Sequence, residues 1–431
     1  MRVRPATWGR ISQPRIGLLI AVCMLACKAE PPATQPDAAT TPPPQSTIPG
    51  GTSAEKPPHD TERLCQLVLE WSIPPAYDVR VPATFEVRDA DGNEQYSGDA
   101  EVWVRGRSSA QVAKPGYGVE LPEPANLLGM GAERDWVVDG LYYDRLLVRD
   151  KLGYDLLRGL GEAAAESSLC ELTLNGYPFG VHALVERIER DDDRVDIEDG
   201  AVSGDAFVVT QTDHECFFTN TVTYGCWKLV SPDQEALGDV EETALWEAFA
   251  AWERGASAGA PVSEFVDVDS AVNAVLIEEF FKNEDAFYTS MHAWKDTGGT
   301  VHFLPWDLDM TFGQFPYYGN GDYARHDVWI GYRPQLWAWM ADDPEFSALL
   351  AARWRELRLG PLADDAWPAR ITELQDILGP AIERNDDLWP IESINYGTYF
   401  YEVDSYADED AHVRAWITDR LLWMDAHIDD W

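Results

Sequence analysis

The sequence is poor in basic residues. Its 431 residues include 33 Lys and Arg against 75 Asp and Glu, a formal net charge of −42 at pH 7. Binding to phosphate backbones or to anionic lipid through surface charge depends on clustered Lys and Arg. The charge balance therefore argues against a nucleic-acid partner and against electrostatic docking on a membrane.

Long apolar segments are also scarce. The run IGLLIAVCMLAC, residues 16–27, follows four arginines and is too short to span a bilayer as a stable helix. Residues 1–26 are therefore interpreted as a lipoprotein signal peptide, cleaved before Cys27, whose thiol is then lipidated. The alternative is an ordinary signal peptide that contains cysteines. Either way, we expect an exported protein.

Residues 27–60 lack apolar periodicity. They are rich in Pro, Thr and Ala, a composition that cannot form a core and predicts a disordered tether. A lipidated Cys27 followed by this tether predicts a membrane-anchored lipoprotein on the periplasmic or cell-surface side. Its only membrane contact would be the lipid.

Cysteines are few, and four remain once those before residue 28 are set aside. An even number in an exported protein predicts two disulfides. Cys216 and Cys226 close a short loop and form the favoured pair, which leaves Cys65 with Cys170. Closer spacing or nearby histidines would be needed for a zinc site, and the sequence has neither.

The rest of the chain, residues 61–431, is interpreted as one domain without a fixed repeat. Alternating apolar residues predict strands in the first half, including a hairpin over 83–106 and another around 175–176. Helical spacing interrupts them over 142–161. Together with the helical second half, this pattern predicts an α+β fold with two subregions, strand-rich first and helix-rich second.

The second half begins with the helical segment DVDSAVNAVLIEEFFKN, residues 267–283. Helical spacing places Val272, Val275, Leu276 and Phe280 on one face, and Asp267 or Asp269 could cap the helix. A hairpin turning at residues 298–299 follows. From about residue 334, helical segments alternate with loops.

Two aspartates, Asp307 and Asp309, lie one residue apart in HFLPWDLDMTFG, beside aromatic residues. Burying carboxylates there is costly unless a cation or hydrogen-bond donors compensate them. A hairpin turn centred on Gly298 would bring Asp285 opposite residue 311, so that the three carboxylates converge. Spacing alone favours turn capping, then a structural Ca²⁺ site, then Mg²⁺ or Mn²⁺ held against phosphates.

Four segments, in this order, resemble the CotH-type kinase family, the spore coat protein H group of atypical protein-kinase-like proteins. They are VWVRGRSSAQVAKPGYGVEL, YYDRLLVRDKLGYDLLRGLG, CELTLNGYPFGVHALVERIER and EEFFKNEDAFYTSMHAWKDTGGTVHFLPWDLDMTFG. The match is strongest over residues 80–315, and 316–431 would complete the domain. The resemblance implies an atypical protein-kinase-like fold. It also implies transfer of phosphate from ATP, with Mg²⁺ or Mn²⁺, to Ser or Thr of exported or surface proteins.

The resemblance implies roles for particular residues. Asp285 would orient or deprotonate the acceptor hydroxyl, and Asp307 and Asp309 would hold the metal. Ser290 would be a third metal ligand, although the family often has Asn at that position. The residues implied in nucleotide binding are Arg105, Ser108, Ser109, Lys114 and Glu186.

These nucleotide-binding roles have structural alternatives. Arg105, Ser108 and Ser109 would cradle phosphates in place of a glycine-rich loop, which the chain lacks. Lys114 would face the phosphates, or else be a surface lysine in a loop. Glu186 would position Lys114 or a metal, or else be an exposed hairpin residue.

Two other functions remain open. The same fold could serve a catalytically weak or inactive lipoprotein for surface binding or cell-envelope assembly, and Ser290 leaves room for that reading. A Ca²⁺-stabilised carbohydrate or protein binder is the third option, since 18 tryptophans fit sugar stacking as well as a core.

Overall fold

The computed structural model describes residues 60–106, 109–212, 216–219, 226–283, 285–287, 289–314, 324–330, 335–393 and 401–431. The predicted signal peptide, the lipidation site Cys27, the tether up to residue 59 and the predicted phosphate ligand Ser108 lie outside these residues. No helix in the described ranges is both long enough and apolar enough to cross a bilayer.

Seven strands close into a barrel in the order β1-β2-β3-β4-β5-β7-β6. Alternate residues of each strand face the barrel core. Leu67, Leu69, Phe85 and Val87 are examples, and all four are almost fully buried. β1 pairs with β6 in parallel, and the other neighbours are antiparallel. The strands are β1 Cys65–Trp71, β2 Val81–Arg88, β3 Glu94–Arg105, β4 Gly116–Asn126, β5 Ala132–Asp139, β6 Ser167–Leu174 and β7 Tyr177–Glu186.

Both predicted disulfides are confirmed. Cys65 and Cys170 are register partners of β1 and β6, with Cα atoms 4.3 Å apart, so this bond crosses the parallel pair that closes the barrel. Cys216 and Cys226 are joined with Cα atoms 5.5 Å apart. Two disulfides indicate an extracellular or otherwise oxidising environment.

A second sheet has the order β12-β11-β8-β10-β9. Its central strand comes from the first half of the chain, while the predicted hairpin of the second half adds β11 and β12 at one edge. Met291 pairs with Pro305 and Trp294 with His302, the register that a turn centred on Gly298 gives. The strands are β8 Phe207–Thr212, β9 Phe218–Thr219, β10 Cys226–Ser231, β11 Met291–Lys295 and β12 His302–Pro305.

The described residues form nine α-helices. They are α1 Arg149–Gly159, α2 Gly200–Ser203, α3 Asp239–Ala258, α4 Val268–Phe281, α5 Gln335–Ala341, α6 Pro344–Leu357, α7 Ala366–Leu378, α8 Ala381–Leu388 and α9 Tyr406–His427. Strands thus dominate up to residue 231 and helices after it. The α+β prediction is confirmed in this form, whereas the protein-kinase-like architecture stays a prediction.

Two helices differ in detail from their sequence patterns. α4 is capped by Asp267, whose carboxylate accepts a hydrogen bond from Ser270 N. Its predicted apolar face is buried, and so are nearly all of its other residues, which lie between the second sheet and other helices. α1 begins only at Arg149, because the Asp144 carboxylate accepts from the backbone N–H groups of Leu146 and Arg149 and holds the preceding residues in a turn.

The two disulfides should contribute unequally to stability. Cys65 and Cys170 enclose a loop of 105 residues and Cys216 and Cys226 a loop of 10, and longer loops lose more entropy when cross-linked. We expect Cys65→Ala/Cys170→Ala to lower the free energy of unfolding by about 2 kcal/mol more than Cys216→Ala/Cys226→Ala. Denaturant titration of both variants measures this, and equal losses would contradict it.

Candidate active-site cleft

A cleft of about 970 Å³ is lined by residues from both sheets. The barrel contributes the end of β3 and the turn after it, and the second sheet contributes β8, β10 and the start of β11. The loops after α4 and β12 also line it, as do the residues after β7. Most of the site residues predicted from the sequence lie in these segments.

Asp285, Asp307 and Asp309 all line this cleft, so the structure brings the three predicted carboxylates together. Asp285 follows α4, where its backbone N–H donates to the Asn283 side-chain oxygen at 3.1 Å. The loop after β12 bends sharply, since Asp307 has a φ of 62°. Such a left-handed conformation is uncommon for a residue with a side chain, and it turns the chain into the cleft.

Negative charge accumulates on this wall. Burial, followed by the nearby carboxylates of Asp285 and Asp139, raises the pKa of Asp307 to about 7. Burial and the neighbouring Asp307 also raise the pKa of Asp309 well above its ordinary value. Both side chains keep some surface towards the cleft but lie deep within it. Their charged forms are therefore undercompensated.

Sequence reasoning missed two further carboxylates beside this pair. Asp139 ends β5 and Asp150 lies in the first turn of α1, and both raise the pKa of Asp309. They are more than 150 residues from Asp309 in the chain. Their local patterns match an ordinary strand end and an ordinary helix start, so no sequence signal marks them.

Three basic residues also line the cleft. Arg105 lies close enough to Asp307 to oppose the rise in its pKa, and Lys228 lies on β10. Sequence analysis missed Arg187, which follows β7 and forms ion pairs with Asp135 at 3.4 Å and Glu189 at 3.1 Å. In a chain of net charge −42, three basic residues around one cleft stand out from the acidic composition.

Two predicted serines also reach the cleft. Ser290 donates a hydrogen bond to an Asp307 carboxylate oxygen at 3.4 Å, so it lies beside the proposed metal ligands. Ser109 starts the short 3₁₀ helix after β3 and also lines the cleft. Trp306 packs on Tyr154 and also borders the cleft.

Lys114 and Glu186 do not line the cleft. Lys114 is 2% exposed and its Nζ donates to Asn385 Oδ1 at 3.0 Å. Glu186 is also 2% exposed and accepts a hydrogen bond from Glu166 N at 2.8 Å. The two side chains form no ion pair with each other. Their predicted nucleotide-binding roles gain no support from these positions, and both surface alternatives are wrong.

The metal prediction rests on few ligands. Over the described ranges, no three or more His, Cys, Asp or Glu side chains are grouped closely enough to hold an ion. Asp307 and Asp309 lie near enough for one to hydrogen-bond to the other. Any ion here would have two carboxylates as its principal protein ligands.

The family model for CotH kinase protein matches residues 102–424, about three quarters of the chain. The chain therefore belongs to the CotH kinase family, as the four ordered segments predicted. The match spans the barrel from the end of β3, both walls of the cleft and most of α9. A comparison with curated proteins found no match.

Burial of Lys114 should produce a pH-dependent stability. Burial lowers the pKa of Lys114 to about 7, whereas the unfolded chain keeps it near 10.5. The unfolded state thus binds more protons between these values, so this residue's contribution to stability rises with pH above 7. We therefore expect the unfolding free energy of wild type to increase relative to that of Lys114→Met. The increase is up to about 1.4 kcal/mol for each pH unit above 7.

Denaturant titrations at about pH 7, 7.75 and 8.5 measure the slope for both proteins. Lys114→Met removes the amine but keeps a long side chain in the buried site. Parallel stability curves for wild type and variant would contradict the depressed pKa.

Proposed function

We propose that the protein is a metal-dependent phosphotransferase that transfers phosphate from a nucleoside triphosphate to Ser or Thr hydroxyls of exported or surface proteins. One observation carries this proposal. A single cleft holds Asp285, Asp307 and Asp309 together with the cations Arg105 and Lys228. Phosphoryl transfer needs this combination of acidic metal ligands, an acidic group for the acceptor and positive charge for the phosphates.

The carboxylate pair fits Mg²⁺ or Mn²⁺. Mg²⁺ is commonly bound by one or two carboxylates and completes its shell with water and substrate phosphates, so a three-carboxylate cage is not required. The raised pKa values of Asp307 and Asp309 show that their negative charge is undercompensated in the protein alone. A bound divalent cation would offset this charge and that of the phosphates.

Asp285 is separated from the metal pair by its own loop. It lies after α4 while the pair follows β12, so it can approach the acceptor hydroxyl without being a metal ligand itself. From there it would orient the hydroxyl and accept its proton. The guanidinium of Arg105 would bind phosphate oxygens, because its fork of donors matches their geometry.

The apolar part of the cleft suits a nucleobase. Ile188, Leu229, Val230 and Met310 line it, and the first three are distant in sequence from the aspartates. Apolar walls exclude water and strengthen the electrostatic interactions of the phosphates with Arg105 and the metal pair. A nucleoside triphosphate would thus bind with its base against these residues.

The compartment defines the acceptor. The disulfides fit an oxidising environment, and we propose that the lipidated Cys27 anchors the domain on the outer side of the cytoplasmic membrane. Its acceptors would then be exported or surface proteins. The protein would then have to bind ATP before its own export, or the cell would have to supply ATP outside the membrane.

A second candidate is a binding lipoprotein of the same fold with little or no catalytic activity. The lack of a three-acid group over the described ranges, and Ser290 in place of the family's Asn, favour it. Nucleotide binding without phosphate transfer would identify this function.

Calorimetric titration with ATP and Mg²⁺ or Mn²⁺ tests the phosphotransferase proposal. Asp307→Asn should weaken metal-dependent ATP binding by about 10- to 100-fold or more, because it removes a charged ligand. Asp285→Asn should keep binding and lose phosphate transfer. Asp342→Asn, an exposed carboxylate before α6, is the matched control and should change neither.

The outcomes separate the candidates. Binding that is lost in Asp307→Asn and kept in Asp285→Asn supports the kinase assignment. No ATP binding by the wild-type protein with either metal would overturn it.

A further inference from the structure

We propose that helix α1 positions the loop of Asp307 and Asp309, with Asp150 and Tyr154 as the positioning residues. The metal-binding role of this loop rests on the proposed function, whereas the contacts that hold the loop do not. Three observations on one face of α1 support the proposal.

The first is a hydrogen bond between the helix and the centre of the loop. Asp150 Oδ1 accepts from the backbone N–H of Leu308 at 2.6 Å, and both residues are almost fully buried. Leu308 stands between the two aspartates, so fixing its N–H fixes the peptide planes on both sides.

The second observation lies one helical turn later. Tyr154 Oη accepts from the backbone N–H of Asp307 at 3.2 Å, and its ring stacks on Trp306 with centroids 5.3 Å apart. Asp307 holds a φ of 62°, which persists only where surrounding contacts enforce it. Tyr154 supplies two such contacts at this bend.

The third observation is the close approach of Gly153 to the loop. A Cβ added to Gly153 would overlap Leu308 Cδ1, and Leu308 is fully buried. Asp150, Gly153 and Tyr154 follow the i, i+3, i+4 spacing of one helical face. This face of α1 therefore binds the loop through two hydrogen bonds. The lack of a side chain at Gly153 lets the helix and the loop approach closely.

The helix is itself firmly held. Arg149, next to Asp150, forms ion pairs with Asp144 at 2.6 Å and with Glu409 of α9 at 2.7 Å, and all three side chains are fully buried. Buried pairs of this kind keep a fixed geometry. The position of the loop relative to the core is thus fixed by α1 as well as by its own hairpin.

Hydrogen–deuterium exchange of the full chain, without metal, tests the positioning directly. Asp150→Ala should speed exchange in peptides spanning 306–312 by about tenfold or more, because Leu308 N–H loses its acceptor. Asp150→Asn should restore most of the protection, since an amide oxygen also accepts. Asp155→Asn is the control, because that carboxylate pairs with Lys151 and Arg370 instead.

A second pair of variants covers the case in which Asp150→Ala does not fold. Gly153→Ala adds a methyl group against Leu308, whereas Gly159→Ala, in the same helix, adds one with nothing within 4 Å. We expect faster exchange over 306–312 in Gly153→Ala alone. Tyr154→Phe, which keeps the ring on Trp306 but loses the hydrogen-bonding hydroxyl, should behave like a milder Asp150→Ala.

Mn²⁺ titration of the same proteins connects the loop to the proposed function. Asp150→Ala and Gly153→Ala should weaken Mn²⁺ binding by about tenfold, as changes to supporting residues do, and both controls should bind like wild type. If wild type binds Mn²⁺ neither alone nor with ATP, and does not bind ATP with Mg²⁺, the proposed function fails while the exchange result still decides the positioning. Unchanged exchange over 306–312 in both Asp150→Ala and Gly153→Ala would overturn the positioning.

Discussion

Mutual repulsion among the carboxylates of the cleft is the constraint on which the rest of this structure depends. Asp307 and Asp309 lie beside each other, with Asp139, Asp150 and Asp285 close enough to affect their protonation. Arg105, one of the cleft cations, opposes this charge at Asp307. Burying like charges is unfavourable unless they are paired, and the cation that we propose for this cleft would supply the missing positive charge.

The architecture meets this requirement from several directions. The closed barrel, cross-linked where β1 meets β6, presents Arg105 at the end of a strand. The second sheet fixes the hairpin whose end bears Asp307, and α4 delivers Asp285. Acidic and basic walls thus come from distant parts of the chain, and they meet in one cleft because both sheets border it.

Local patterns predicted much of this arrangement. The hairpin register, the Asp267 cap and the cysteine pairs follow from turn chemistry, capping and loop length, all of which act over short stretches or on few possibilities. The burial of the Lys114 side chain could not be predicted, because its hydrogen-bond partner Asn385 lies 271 residues away on α8. Asp150 and Arg187 were missed for the same reason, since their roles depend on tertiary contacts that no local pattern records.

Locating a bound ion would decide the central claim most directly. Crystals of the protein grown with Mn²⁺ and a non-hydrolysable ATP analogue allow the metal to be located by its anomalous scattering. We expect a peak about 2.2 Å from carboxylate oxygens of Asp307 and Asp309, with phosphates of the analogue between them and Arg105. An empty cleft in such crystals, or Mn²⁺ bound only at surface turns, would contradict the assignment of this cleft as a metal–nucleotide site.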